Sequence, residues 1–171
     1  MSYDLAVWEG PRPAGNQVAL AVYIELYTQL TGGAGVLKAL VEPHPAIVAY
    51  VHALLDRWPD ITEDAGENGP WSDGPLIGNA SGNLFYFGMA FSMADEASEF
   101  AVQLASQRGL VCFDPQLGRL RPFDDADGPP ADASLPPITC AACGVLIGVN
   151  EPRAQTFRYD QRPVHLACLN K

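Results

Sequence analysis

The chain is short of positive charge. Ten Lys and Arg residues stand against 20 Asp and Glu, for a formal net charge of −10. The shortage is uneven: residues 1–137 hold 18 acidic and 6 basic side chains, a balance of −12, whereas residues 138–171 hold 2 and 4, a balance of +2. Binding to a nucleic-acid backbone needs clustered Lys and Arg, so the acidic stretch argues against that partner and would attract a basic protein surface. Long apolar runs are also missing, and nothing approaches the roughly 20 residues of a membrane helix. The opening "MSYDLAVWEG" lacks the basic and apolar regions of a secretory signal. These absences predict a cytoplasmic protein with no membrane association. Cysteine is sparse, at positions 112, 140, 143 and 168, and in a reducing compartment disulfides are the less favoured use for it.

Catalytic signatures are missing too. "GNASG" places Ser81 one residue late for a Gly-x-Ser-x-Gly elbow. No phosphate-binding glycine loop is present. The acids from Asp60 to Asp73 do not follow the spacing of an EF-hand calcium loop. Cys112 sits in an apolar run, where a buried, inert thiol is the default. His44 lies between prolines, and His52 has only Asp56 at helical spacing. The expectation is a protein that is not an enzyme.

What is present reads as one domain with an appendage. "YDLAVW" (Tyr3–Trp8) predicts a buried strand, followed by a helix that Asn16 could cap, with Leu20, Tyr23, Ile24, Tyr27 and Leu30 on its apolar stripe. A second helix enters at "EPHP", with a stripe of Ile47, Val48, Val51, Leu54, Leu55 and Trp58. "PLIGNA" and "NLFYFGMAF" suggest a hairpin. Ser92 and Asp95 resemble a capping box before a third helix that buries Ala97, Phe100, Ala101 and Leu104. "LVCFD" is a further strand, and "GRLRPF" could add a short edge. The order β-α-α-β-β-α-β predicts an α+β fold, a two-layer sandwich with a mainly antiparallel sheet related to the ferredoxin-like plan, over residues 1–122. The crossover through the third helix predicts that the strands it joins run parallel.

"DITEDAGENGPWSDG" is long, acidic and turn-rich, and loops of that length in compact domains are more often functional or disordered than ordinary. Its Asp60, Glu63, Asp64, Glu67 and Asp73 are candidates for contacting a basic partner, with Trp71 as a candidate anchor; tryptophan is frequent at binding hot spots. Core packing is the equally weighted alternative for Trp71 and the favoured one for Trp58. Residues 123–137, rich in Asp and Pro, predict an extended linker.

Residues 138–171 carry Cys140-x2-Cys143 and His165-x2-Cys168. Zinc takes four tetrahedral thiolate or imidazole ligands, and a full set of four makes a closed, structural site. So small a module needs the metal to fold, and structural zinc supplies about 10–16 kcal/mol in finger peptides. "CAACG" and "YDQRPVHLACL" resemble the treble-clef and LIM-type half-site pattern, which implies a metal-stapled interaction module without choosing its partner. The alternative is an adaptor that binds nucleic acid or a regulatory protein through this tail.

"MSYDLAVWEGPRP", "WSDGPLIGNASG" and "GLVCFDPQLGRL" are together similar to a group of small bacterial proteins that resemble immunity proteins of toxin systems. The resemblance spans roughly residues 1–122 and implies a neutralising protein that binds a toxin domain. It carries no site residues with it, and the zinc-like tail departs from the group's pattern.

Overall fold

The structure is a computed structural model that describes residues 2–31, 41–63 and 68–132. Its elements are β1 (Ser2–Trp8), α1 (Asn16–Thr31), α2 (Pro45–Leu55), β2 (Ala80–Ser81), β3 (Leu84–Ala90), α3 (Ala94–Gln107), β4 (Val111–Asp114) and β5 (Arg119–Arg121). Short 3-10 turns lie at Leu76–Asn79 and Asp125–Asp127. The fold is α+β, and "GRLRPF" supplies the fifth strand as the expected short edge.

The sheet order is β2-β3-β1-β4-β5, with every neighbouring pair antiparallel. β1 pairs with β3 along its whole length, Ser2 opposite Ala90 and Trp8 opposite Leu84. Its other edge pairs with β4, Val7 opposite Cys112. Since β3 and β4 both oppose β1, they run parallel to each other, and α3 is the crossover that joins them. The expected parallel relation holds, with β1 between the two strands. The predicted hairpin is reduced to β2–β3, Ala80 and Ser81 opposite Phe85 and Leu84, because Leu76–Asn79 of "PLIGNA" forms a 3-10 turn instead of a strand. The connection turns at Gly82 with φ +54°, a left-handed conformation that suits glycine. The free half of the β3 edge is covered by the chain itself: Trp71 bridges to Met89, Ala90 N donates to Pro70 O at 2.7 Å, and Ser72 N to Gly88 O at 3.0 Å.

The expected two-layer arrangement is corrected to three layers. Alternate residues of each strand point to opposite faces, and both faces are covered. Leu5, Val7, Phe85, Phe87, Met89 and Cys112 pack with α2 and α3. Ala6, Trp8, Leu84, Val111 and Phe113 pack with Ala19 and Leu20 of α1. The physical reason lies in the strands themselves: "LAVW" and "VCFD" are continuous apolar runs, buried at every position, and a strand of that kind needs cover on both sides. Each fully buried large apolar side chain contributes roughly 1.5–3 kcal/mol, so neither face could be left open.

Several local expectations shift. In α1 the buried face is Ala19 and Leu20 with Tyr23, Leu26, Tyr27 and Leu30 packed against it, while Ile24 is 48% exposed. Tyr50 joins the α2 stripe, fully buried, and its hydroxyl donates to Ala101 O at 2.9 Å. The capping box does not form: α3 begins after Met93 with no side-chain cap. Asp95 and Glu96 in its first turn complement the helix dipole instead. His44 does cap α2, its Nδ1 accepting from Ala46 N at 3.3 Å.

Asn16 is not a helix cap. It is 2% exposed and ties three segments together, accepting from Leu120 N and donating to Gly128 O and Pro129 O. The stretch expected to begin an extended linker is therefore held to the body as far as Asp132. Arg12 pairs with Asp127 at 2.6 Å, Ala131 N donates to Gly118 O at 2.7 Å, and the Gln17 side chain bonds both N–H and C=O of Asp132.

Candidate functional site

The acidic loop after α2 has an ordered neck. Asp60, 5% exposed, accepts from Leu76 N at 2.6 Å and from Thr62 N and Oγ1 at 3.0 and 2.8 Å. Burial alone would raise its pKa; the three hydrogen bonds overcome that and hold the carboxyl below the usual carboxylate range. Gly74 closes over the same carboxylate, since a Cβ there would come within 2.6 Å of Asp60 Oδ1. Asp60 is thus a clamp facing inward, and the structure removes it from the partner-facing set.

Trp71 is removed as well. It is 2% exposed, its indole N–H donates to Trp58 O at 3.0 Å, and its ring meets Trp58 and Phe87 edge-on at 6.0 Å. Trp58 packs in turn on Phe100, with the Arg57 guanidinium 4.5 Å above its ring. Both tryptophans are structural: a loop returning along the β3 edge needs a large side chain to seal the core under it. Of the remaining loop candidates, Glu63 and Asp73 are exposed, with Asp73 accepting from Asn79 Nδ2 at 3.1 Å. Asp64 and Glu67 lie outside the described residues.

A cleft of about 400 Å³ opens on the α3 side of the sheet, at the level of β5. That size falls within the roughly 300–1,000 Å³ range of small-ligand sites. One wall is α3, which presents Asp95 and Glu99; both are exposed and one helical turn apart, hence on one face. The opposite wall is Arg121 and Phe123, the latter 50% exposed. Tyr3 also lines the cleft, its hydroxyl donating to Asp114. Asp114 is fully buried and satisfied, accepting also from Leu117 N at 2.9 Å and from Arg121 at 3.5 Å. The Arg121 guanidinium lies 4.3 Å from the Phe123 ring centre. Burial, then the bond to Asp114, pushes the Tyr3 phenol up to about 12, so it stays protonated near neutrality.

Burial pushes the Cys112 thiol up to about 12, and it is 1% exposed. The cleft therefore offers charge, hydrogen-bonding groups and aromatic faces, while the one described thiol is kept protonated and out of reach of solvent. None of the cleft residues stands out in the sequence as a site; the usable signal is Asp95 and Glu99 four residues apart on an amphipathic helix.

Among the described residues no group of three or more His, Cys, Asp and Glu side chains could hold a metal. The predicted zinc ligands Cys140, Cys143, His165 and Cys168 lie outside the described residues. No described helix is long and apolar enough to cross a membrane. Comparisons with protein families, curated proteins and solved structures find no match to this chain.

Proposed function

We propose that the chain is a non-enzymatic protein-binding protein, an immunity-type inhibitor that seats a basic surface of a toxin domain against its acidic body. The carrying observation is that the body's acidity is not neutralised from within. Three ion pairs use Arg12, Arg57 and Arg121 on Asp127, Glu96 and Asp114, leaving only Arg108 and Arg119 among the described cations against a large excess of carboxylates. An unneutralised field of one sign steers a partner of opposite sign and sharpens partner choice. The strand order, with β1 between the parallel β3 and β4, supports the relation to the ferredoxin-like plan. The burial of Cys112 and the use of His44 as a cap support a binding role over a catalytic one. Cys140, Cys143, His165 and Cys168 would hold a structural Zn2+ that staples the tail.

The test is affinity capture from lysate of the source cells at low and high salt. The full chain is compared with a chain ending at Pro137, since residues up to Asp132 belong to the body. The expected result is one basic, toxin-like protein held by both forms at stoichiometric ratio, released by salt, and weakened by charge reversal at Glu63, Asp64 and Glu67. A second reading rests on the +2 balance and Cys/His spacing of residues 138–171: an adaptor binding nucleic acid or a regulatory protein through that tail. Capture that requires the tail, or that brings down nucleic acid, selects it and removes the immunity reading.

A further inference from the structure

We propose that Asn68–Gly69 is a site of spontaneous covalent modification, where the Asn68 side chain is deamidated through a cyclic imide to a mixture of aspartate and isoaspartate. Of the six asparagines in the chain, only Asn68 is followed by glycine. It is exposed in a turn, and among the described residues its side chain has no hydrogen-bond partner. The glycine matters because the attacking atom is its backbone nitrogen. With no Cβ beside it that nitrogen is unshielded, and the chain can take the backbone angles that ring closure needs. The other described asparagines each lack one or more of these conditions. Asn16 is 2% exposed and bonded through both ends of its amide. Asn79 donates to Asp73 at 3.1 Å and is followed by buried Ala80. Asn83 is exposed, but its carbonyl accepts from Glu9 N at 3.0 Å and it is followed by buried Leu84, which is paired in the sheet.

The reaction needs only water and base. Loss of the Gly69 N–H proton to solvent leaves a nitrogen that attacks Asn68 Cγ. The new N–Cγ bond forms, the Cγ–Nδ2 bond breaks, and Nδ2 leaves as ammonia with a proton taken from solvent. Water then opens the imide. Cleavage at Cγ gives aspartate, whereas cleavage at the main-chain carbonyl of residue 68 gives isoaspartate, whose backbone runs through Cγ and is longer by one methylene. Either product replaces a neutral amide by a carboxylate next to Glu67. The change falls between two fixed points, the Asp60 clamp before it and the pairing of Pro70 and Ser72 with the β3 edge after it. The fold therefore keeps its core while the exposed loop gains charge and length. That charge lies on the acidic loop of the proposed partner surface, although the chemistry does not depend on that reading.

The experiment is incubation of the full chain in neutral and in mildly alkaline buffer, then tryptic digestion and mass spectrometry of the 58–108 peptide, which holds Asn68, Asn79 and Asn83. An unincubated sample corrects for conversion during digestion, and electron-transfer fragmentation locates the converted residue and separates isoaspartate from aspartate. The expected result is conversion at Asn68, faster at the higher pH, with isoaspartate among the products and a rate about tenfold or more above that at Asn83. Gly69→Ala, which puts a Cβ beside the attacking nitrogen, should slow the conversion about tenfold. Asn68→Gln, at an exposed position outside the core, should reduce it to the background at Asn83. Conversion at Asn68 no faster than at Asn83 would overturn the proposal. So would aspartate formed without isoaspartate, or a rate unchanged by Gly69→Ala, since either excludes the imide route.

Discussion

Asn16 and Leu120 are 104 residues apart in sequence and joined by a 2.8 Å hydrogen bond, Leu120 N donating to Asn16 Oδ1. The same side chain donates through Nδ2 to Gly128 O at 2.8 Å and Pro129 O at 3.0 Å. One buried amide thus fixes the start of α1, the β5 edge and the segment that follows it. Replacing it by alanine leaves those backbone groups to find water in a buried place. Asn16→Ala is expected to cost about 2–4 kcal/mol by denaturant unfolding. A cost near zero would mean that these contacts are not formed in solution.

Gly118 makes the second half of that attachment. It sits at φ +61°, and a Cβ there would come 2.8 Å from Ala131 O and 3.2 Å from Ala131 N. Both neighbours are backbone and cannot swing away. Gly118→Ala should therefore detach the 128–132 segment, seen as faster hydrogen exchange at the Ala131 amide. Gly109 is the control: its φ is +69° with nothing within 4 Å of a Cβ. Gly109→Ala should show only the backbone strain, about 1 kcal/mol, with no change at Ala131.

The Asp60 clamp predicts a pH dependence of known sign. Its folded-state pKa is depressed, so its contribution is present in full above the unfolded carboxylate pKa. That contribution is lost as pH falls through the lower folded value, below about pH 4. Asp60→Asn should destabilise by about 1–3 kcal/mol at neutral pH. The gap to the parent should close on acidification below that point, as read from unfolding curves at several pH values. A gap independent of pH would show that the charge of Asp60 is not what holds the loop neck.

At the alkaline end the buried phenol and thiol act with the opposite sign. Burial raises Tyr50 well above 10 and Cys112 from 9.0 to about 12. Their neutral forms stabilise the fold in full below the unfolded pKa values, and this is lost as pH rises past them toward the folded ones. Tyr50→Phe should cost about 1 kcal/mol at neutral pH through the lost bond to Ala101 O. Its stability should then fall less steeply than the parent's above pH 10. Parallel alkaline limbs would assign the loss to other groups.

For the tail, the prediction is one zinc ion per chain, measured by metal analysis after dialysis. Replacing Cys143 or His165 should abolish tight binding, because a four-ligand site loses its closed tetrahedral set. Unfolding of residues 1–132 should be unchanged by a chelator. Zinc retained after either substitution would refute this ligand set.

The sequence alone carried the elements and their order. The alternation of apolar runs and helical stripes is a local property. The spacing of Cys140, Cys143, His165 and Cys168 is likewise a local sequence pattern, and it lies outside the described residues. The three layers, the pairing of β1 with both β3 and β4, and the fate of the acidic loop were decided only in three dimensions. Trp71 illustrates why: its neighbours Pro70 and Ser72 read equally well as a loop tip, and only the β3 edge, brought alongside by a distant strand pairing, turns it inward. Asp60 likewise reads as one more surface acid until Leu76 N, 16 residues on, supplies the bond that buries it. The cleft combines Tyr3, Asp95 and the Arg121–Phe123 segment from three places in the chain, and no local pattern can bring such residues together. Burial and hydrogen-bond satisfaction depend on the whole path of the backbone, whereas propensity and ligand spacing belong to the segment itself.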